Sequence, residues 1–122
     1  MAVVEWQDLP LAAKKRKWDA DAAEKRVRRW AHADDAPNDR YRRAFLWYDA
    51  GKKENFGSYK FAIADVVGGR LKAVPRGISA AAGVVQGARG GANVPRKDVP
   101  ALKGHLGRYY EKMNEAPPWE AE

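Results

Sequence analysis

The sequence Val-Pro-Arg-Gly-Ile-Ser-Ala-Ala-Ala-Gly-Val-Val-Gln-Gly-Ala-Arg-Gly-Gly-Ala-Asn, residues 74–93, decides the fold. Pro75 is favoured at the start of a helix, because the N–H that proline lacks would have no partner there. Apolar side chains then recur at helical spacing, at Ile78, Ala81, Ala82 and Val85. Gly90–Gly91 ends this pattern, since glycine tolerates the positive φ found at helix C-termini. We therefore predict a central buried helix over residues 76–89. Its small side chains allow neighbouring elements to approach it closely.

A two-stranded hairpin is predicted directly before this helix. In residues 58–67, larger apolar side chains alternate with lysine and alanine, which is typical of a strand. Gly68–Gly69 favours a tight hairpin turn, and residues 70–74 form the return strand. A hairpin of this size is marginally stable alone, so we expect it to pack on the helices. The aromatic run at residues 45–48 favours a third short strand.

Further helices are predicted on either side of this centre. Residues 20–31 follow a possible cap at Asp19 or Asp21 and place apolar side chains on one face. A short helix is expected over residues 40–44, and a long one over residues 99–114 with a regular apolar stripe. The predicted fold class is therefore α+β, with about three main helices packed on a small antiparallel hairpin or three-stranded sheet.

Composition bounds the architecture and the class of partner. A chain of 122 residues with 45% apolar residues is expected to form one domain with its own core. We expect residues 1–17 to be a flexible N-terminal lead-in, residues 18–115 the globular domain, and residues 116–122 a flexible acidic tail. The net charge of +7 favours acidic partners, nucleic acid first. No apolar run approaches the roughly 20 residues of a membrane helix, and no signal-peptide core is present, so a cytoplasmic protein without a membrane partner is expected.

Residues that could carry catalysis are few. The chain has no cysteine, and its only serines are Ser58 and Ser79. The two histidines are far apart in sequence, and the candidate carboxylates, at Asp49, Glu54 and Asp65, stand beside turns where acidic residues are ordinary.

Sites for cofactors and metals are also poorly supported. The glycines of residues 87–91 lie at a helix C-terminus, where the helix dipole disfavours a phosphate. His32 stands near Asp34 and Asp35, but a metal site needs more converging ligands. We therefore expect no enzyme, no cofactor and no metal.

Basic residues interleaved with aromatic ones are the best functional signal. If exposed on one face, these arginines and lysines would neutralise phosphates without reading bases. The aromatic residues among them belong either to the core or to a stacking platform, and the core is the commoner use. The candidate partner-binding or nucleic-acid-binding residues are Arg40, Arg43, Arg70, Lys72, Arg76 and Arg89.

Several of these motifs together resemble a known family. They are Trp18-Asp19, Arg29-Trp30-Ala31, residues 41–49 (Tyr-Arg-Arg-Ala-Phe-Leu-Trp-Tyr-Asp), residues 54–60 (Glu-Asn-Phe-Gly-Ser-Tyr-Lys) and residues 86–91 (Gln-Gly-Ala-Arg-Gly-Gly). Over about residues 18–115 the chain resembles an uncharacterised domain of tailed bacteriophages and prophages, associated with head-assembly genes such as those for prohead protease and capsid protein. The catalytic residues of the protease belong to a different domain and have no counterpart here.

The resemblance implies a phage-encoded, non-enzymatic module of head assembly or DNA packaging. Its expected partner is a phage structural protein or nucleic acid, bound through a basic face, in the cytoplasm of the host cell or in the virion. The alternative is a sequence-independent nucleic-acid-binding protein, including one that interferes with a host nucleoprotein machine.

Overall fold

The computed structural model describes residues 2–87 and 93–120 and confirms the α+β class. Three long helices pack with a three-stranded antiparallel sheet, in the order β1–β2–β3, and with a separate β4–β5 hairpin. The elements are β1 (Ala2–Val3), α1 (Ala20–Trp30), α2 (Asp39–Arg42), β2 (Phe45–Tyr48), β3 (Tyr59–Ala62), β4 (Ala64–Val67), β5 (Arg70–Ala73), α3 (Pro75–Gln86) and α4 (Val99–Lys112).

The strand predicted over residues 58–67 is bent and shared between both sheets. Phe61 has a φ of 63°, a conformation that side chains rarely adopt, and it lies within the part paired with β2, which extends to Ala62. The part paired with β5 begins at Ala64. Ile63 lies at the junction, where its N–H donates to Ala44 (2.9 Å) and its carbonyl accepts from Val74 (2.8 Å). The aromatic strand β2 therefore pairs with the first half of this segment and leaves the hairpin as a separate pair.

The central helix α3 is buried as predicted. Ile78 is fully buried and Val85 nearly so, and α3 packs against α4, whose Leu106 is also buried. The helix ends at Gln86, earlier than the predicted residue 89, because Gly87 adopts a φ of 125° and breaks the backbone geometry. The predicted stop at Gly90–Gly91 lies outside the described residues.

Most of the aromatic residues between α2 and β3 belong to the core. Tyr41, Phe45 and Tyr59 are buried and pack edge-on or tilted against one another, with ring centroids 4.8–5.6 Å apart. Trp47 is also buried, and its indole N–H donates to Asp98 at 2.9 Å. The prediction that these aromatic residues belong to the core, and not to a stacking platform, is thus confirmed at these positions.

The N-terminal segment contributes to the core before residue 18. Val4, Leu9 and Ala12 are buried, and β1 extends the sheet by pairing with β2. Residues 10–12 run beside β5, where the N–H of Ala12 donates to Ala73 at 2.8 Å. The expected lead-in therefore supplies both core side chains and an edge to the hairpin.

The segment after α4 also returns to the domain. Pro117 is buried, and Trp119 lies half-buried with the ammonium of Lys103 5.4 Å from its ring centroid. None of the helices in the described part of the chain is long and apolar enough to cross a membrane.

Candidate functional site

Trp30 stands at the end of α1, where the helix meets the hairpin. Asp19 caps this helix by accepting a hydrogen bond from the N–H of Ala22 (3.2 Å). Val27, on the inner face of the helix, is fully buried. One turn further on, Trp30 is only half-buried, and its indole N–H donates to the carbonyl of Gly69 at 3.2 Å. The side chain therefore fastens the helix end to the tip of the β4–β5 hairpin.

Asn38 brings Arg40 onto the same tryptophan. Its side-chain oxygen caps α2 by accepting from the N–H of Tyr41 (2.9 Å), while its amide group donates to the carbonyl of Ala31 (2.8 Å). This double contact fixes the start of α2 against the end of α1. The guanidinium carbon of Arg40 then lies 4.1 Å from the Trp30 ring centroid, in a cation–π contact.

The hairpin turn places Arg70 next to this contact. Gly68 and Gly69 adopt φ angles of 61° and 79°, which glycine accepts without steric strain. Arg70 follows immediately and is exposed, while Gly69 holds the indole of Trp30. Trp30 therefore contacts Arg40 directly and the residue that precedes Arg70, so two of the predicted binding residues lie near one aromatic side chain.

A shallow groove of about 430 Å³ adjoins Trp30. Among the described residues, its lining includes no acidic side chain and consists of Arg26, Arg29, Trp30, His32 and Val66. His32 has a φ of 57° and turns the chain away after the helix. We call the exposed or half-exposed residues of this region the Trp30 surface: Arg29, Trp30, His32, Arg40, Val66 and Arg70.

The Trp30 surface is electropositive despite its position at a helix C-terminus. The carbonyls at the end of a helix carry a partial negative charge of about half an electron. Arg29, Arg40 and Arg70 supply three full positive charges, and Arg28 donates to the carbonyl of Ala33, beyond the end of the helix, at 3.1 Å. These three charges exceed the partial charge of the helix end, so the balance of charge on these residues is positive.

Asp65 is the buried acidic residue beneath this region, and arginines neutralise it. Its carboxylate accepts two bonds of 2.8 Å from Arg26 and one of 3.1 Å from Arg16, together with the N–H of Val66 at 2.7 Å. Burial alone raises the pKa of Asp65, but these hydrogen bonds outweigh it and hold the pKa below its usual value. Asp65 is thus held ionised in a structural ion pair that joins α1, the hairpin and the N-terminal segment.

The remaining predicted binding residues are not part of the Trp30 surface as defined, although Lys72 shares the strand face of Arg70 in β5. Lys72 is directly opposite Asp65 in the hairpin register, and Arg43 donates to the side chain of Gln7 at 3.1 Å. Arg76 is the second residue of α3, at the opposite end of β5 from Arg70. Arg89 lies outside the described residues.

Four residues of the Trp30 surface were missing from the predicted set: Arg29, Trp30, His32 and Val66. The sequence placed Arg29 and Trp30 in the helix over residues 20–31, His32 near Asp34 and Asp35, and Val66 in the hairpin. The available signal was Arg28-Arg29-Trp30 at the end of a predicted helix, which places a large ring among positive charges. Only the bond of its indole N–H to Gly69 and its cation–π contact with Arg40 show that this ring is held at the surface.

The polar groups considered for catalysis have structural contacts or stand apart. The hydroxyl of Ser58 is buried and lies within 2.8 Å of the carbonyls of both Lys52 and Asn55, so it ties a loop together. His105 packs near Trp6, with the ring centroids 5.9 Å apart. Over residues 2–87 and 93–120, no group of three or more histidine or acidic side chains could hold a metal ion.

No family model matches this chain, and no curated protein or solved structure matches it either. Its function is therefore inferred from its own geometry.

Proposed function

We propose that this chain is a non-enzymatic interaction module that binds nucleic acid without sequence preference through the Trp30 surface. The observation that carries the proposal is the cation–π contact of Arg40 with Trp30, whose indole also bonds to Gly69 beside Arg70, with Arg29 lining the adjacent groove. One arginine held on the ring and two exposed arginines close by in the fold present positive charge toward water, which suits a polyanion.

The geometry supports binding to the phosphate backbone. Arginine side chains bind phosphates strongly and can do so with two parallel hydrogen bonds. Arg29, Arg40 and Arg70 come from three different elements, so their charge is spread over a surface. It is not concentrated on one helix of the kind that enters a DNA groove and reads bases. Such contacts position a protein on nucleic acid without reading its sequence.

The biological setting belongs to the same proposal. The resemblance in sequence supports a role in tailed-phage head assembly or DNA packaging, in the cytoplasm of the host cell or associated with the virion. Phage DNA is the polyanion available there. A phage structural protein is the competing partner, and its binding is an outcome of the experiment below.

The test is the salt dependence of binding to a labelled DNA duplex of arbitrary sequence, followed by fluorescence anisotropy. With three phosphate contacts, we expect the affinity to fall about fortyfold between 50 and 200 mM salt, because the logarithm of the binding constant falls by about 0.9 per contact and per tenfold change in salt. Duplexes of unrelated sequence should bind equally.

A matched pair of variants locates the surface. The double variant Arg40→Glu/Arg70→Glu should lose most of the binding and reduce the salt slope by about two units. The control, Arg96→Glu/Lys97→Glu, makes the same change in net charge at exposed residues before α4 and should keep the wild-type slope. Equal losses in both variants would show that net charge alone is responsible. Capture of capsid protein that ignores nuclease and salt, without DNA binding, would replace nucleic acid with a protein partner.

A further inference from the structure

The groove beside Trp30 has an apolar part of its lining that phosphate binding does not require. Trp30 and Val66 supply this part, and the other lining residues are Arg26, Arg29 and His32. A phosphate needs only donors and positive charge. An apolar surface surrounded by cations suits a ligand that is flat and apolar in the middle and joined to anions.

We propose, on the basis of the nucleic-acid function above, that this groove receives an unpaired base, so that the preferred ligand is a single strand. A nucleobase offers an apolar face for Trp30 and Val66, and its flanking phosphates would lie toward Arg29, Arg40 and Arg70. In a duplex the bases are stacked on one another and cannot enter the groove without being extruded. The groove therefore discriminates between strands that share the same backbone charge.

The tryptophan is prepared for stacking before any ligand arrives. Its one polar atom, the indole nitrogen, already donates to Gly69, and Arg40 covers part of the ring at 4.1 Å. With its hydrogen-bonding group satisfied and its rotation restricted, the ring loses little freedom when a base packs on it. Every base has such a face, so stacking adds affinity without adding sequence preference.

The test compares two ligands that carry the same phosphates. One is a labelled oligothymidylate of about 15 nucleotides, and the other is an abasic strand of the same length. Wild-type protein should bind the strand with bases about tenfold more tightly, as expected for one aromatic–base stack. The variant Trp30→Ala should lose that difference, whereas Trp30→Phe, which keeps an aromatic ring, should retain most of it.

A second measurement uses the unaltered protein and does not depend on the folding of a variant. A single strand carrying 5-bromodeoxyuridine is irradiated with the wild-type chain, and the crosslinked peptide is identified by mass spectrometry. We expect the crosslink on the peptide that contains Trp30. A crosslink confined to another peptide would overturn the proposal.

The outcomes separate this inference from the proposed function. Equal, salt-dependent binding of the two strands and of a duplex would leave nucleic-acid binding standing and exclude the base groove. No binding to any of the three would remove the proposed function itself. A preference for bases that persists in Trp30→Ala, with that variant folded by circular dichroism, would place stacking at another aromatic residue.

Discussion

Replacing Asp65 with asparagine should destabilise the protein more than the same kind of change at any other acidic residue that forms an ion pair in the described part of the chain. The Asp65 side chain is 3% exposed and accepts four hydrogen bonds, three of them from Arg16 and Arg26. Asparagine keeps the shape but removes the charge, and its amide hydrogens would face donors. The two guanidinium groups would then lack their counterion.

The size of the effect follows from burial. Removing one partner of a buried ion pair costs about 3–5 kcal/mol. The side chains of Arg16 and Arg26 are 32% and 46% exposed and can regain water, which favours the lower end, about 3 kcal/mol. With an unfolding entropy of about 2.1 cal/mol/K per residue over 122 residues, this corresponds to a fall in Tm of about 12 °C. Because domains are stable by about 5–15 kcal/mol, Asp65→Asn should still fold.

The assay is urea denaturation followed by circular dichroism, with Asp39→Asn as the matched control. Asp39 makes an exposed pair with Arg42, its own side chain being 96% exposed, so this variant should unfold at the wild-type midpoint. A midpoint for Asp65→Asn equal to that of the control would refute the assignment of Asp65 as a structural anchor.

The pH dependence gives an independent check on the same residue. Burial raises the pKa of Asp65, but hydrogen bonds from Arg26, Arg16 and Val66 bring it below the ordinary value of 3.8. The folded state therefore binds this proton less readily than the unfolded state, and the stability is fully present above the unfolded pKa. The difference between wild type and Asp65→Asn should be constant above about pH 5 and shrink as the pH falls below about 4.

Three further predictions concern stability alone. Gly83→Ala should stabilise helix α3 by about 0.5–1 kcal/mol in urea denaturation, because the added carbon meets no atom within 4 Å. Gly77→Ala should give a smaller gain or a loss, because its added carbon lies 3.0 Å from Trp18, and equal gains would contradict that contact. Gly68→Ala should destabilise the hairpin turn by about 1 kcal/mol because φ is positive there, and Gly68→Asn by less, so identical melting temperatures would argue against the turn geometry. Burial lowers the pKa of His105 below 6.5, so the free energy of unfolding should fall as the pH is lowered through that value. His105→Gln should reduce this loss when urea midpoints near pH 7.5 and pH 5.5 are compared, and an unchanged pH profile would contradict the prediction.

The regular elements were predictable because their signals are local. The spacing of Ile78 and Val85 placed α3, and Gly68–Gly69 placed the hairpin, since helix periodicity and turn chemistry depend on near neighbours in sequence. The boundaries were less accurate. Helix α3 stops at Gly87 because that glycine adopts positive φ, whereas the predicted stop was at the next two glycines, Gly90–Gly91.

The division of the strand region into two sheets could not be predicted. Alternation of apolar residues from 58 to 67 indicates a single strand, yet β3 ends at Ala62, β4 begins at Ala64, and the two strands belong to different sheets. Ile63 lies between them and bonds to Ala44 and Val74. Those partners are distant in sequence, so no local pattern carries the information.

The sequence by itself determined the positive charge, the helices, the hairpin and the burial of the central helix α3, because these depend on composition and short-range periodicity. Only the tertiary structure decided which arginines belong together. Asn38 reaches Ala31 and so brings Arg40 onto the ring of Trp30, and Trp30 reaches Gly69 and so lies beside the turn that precedes Arg70. These contacts span up to 39 residues, and their geometry is set by how α1 packs on the hairpin, not by any neighbouring residue in the chain.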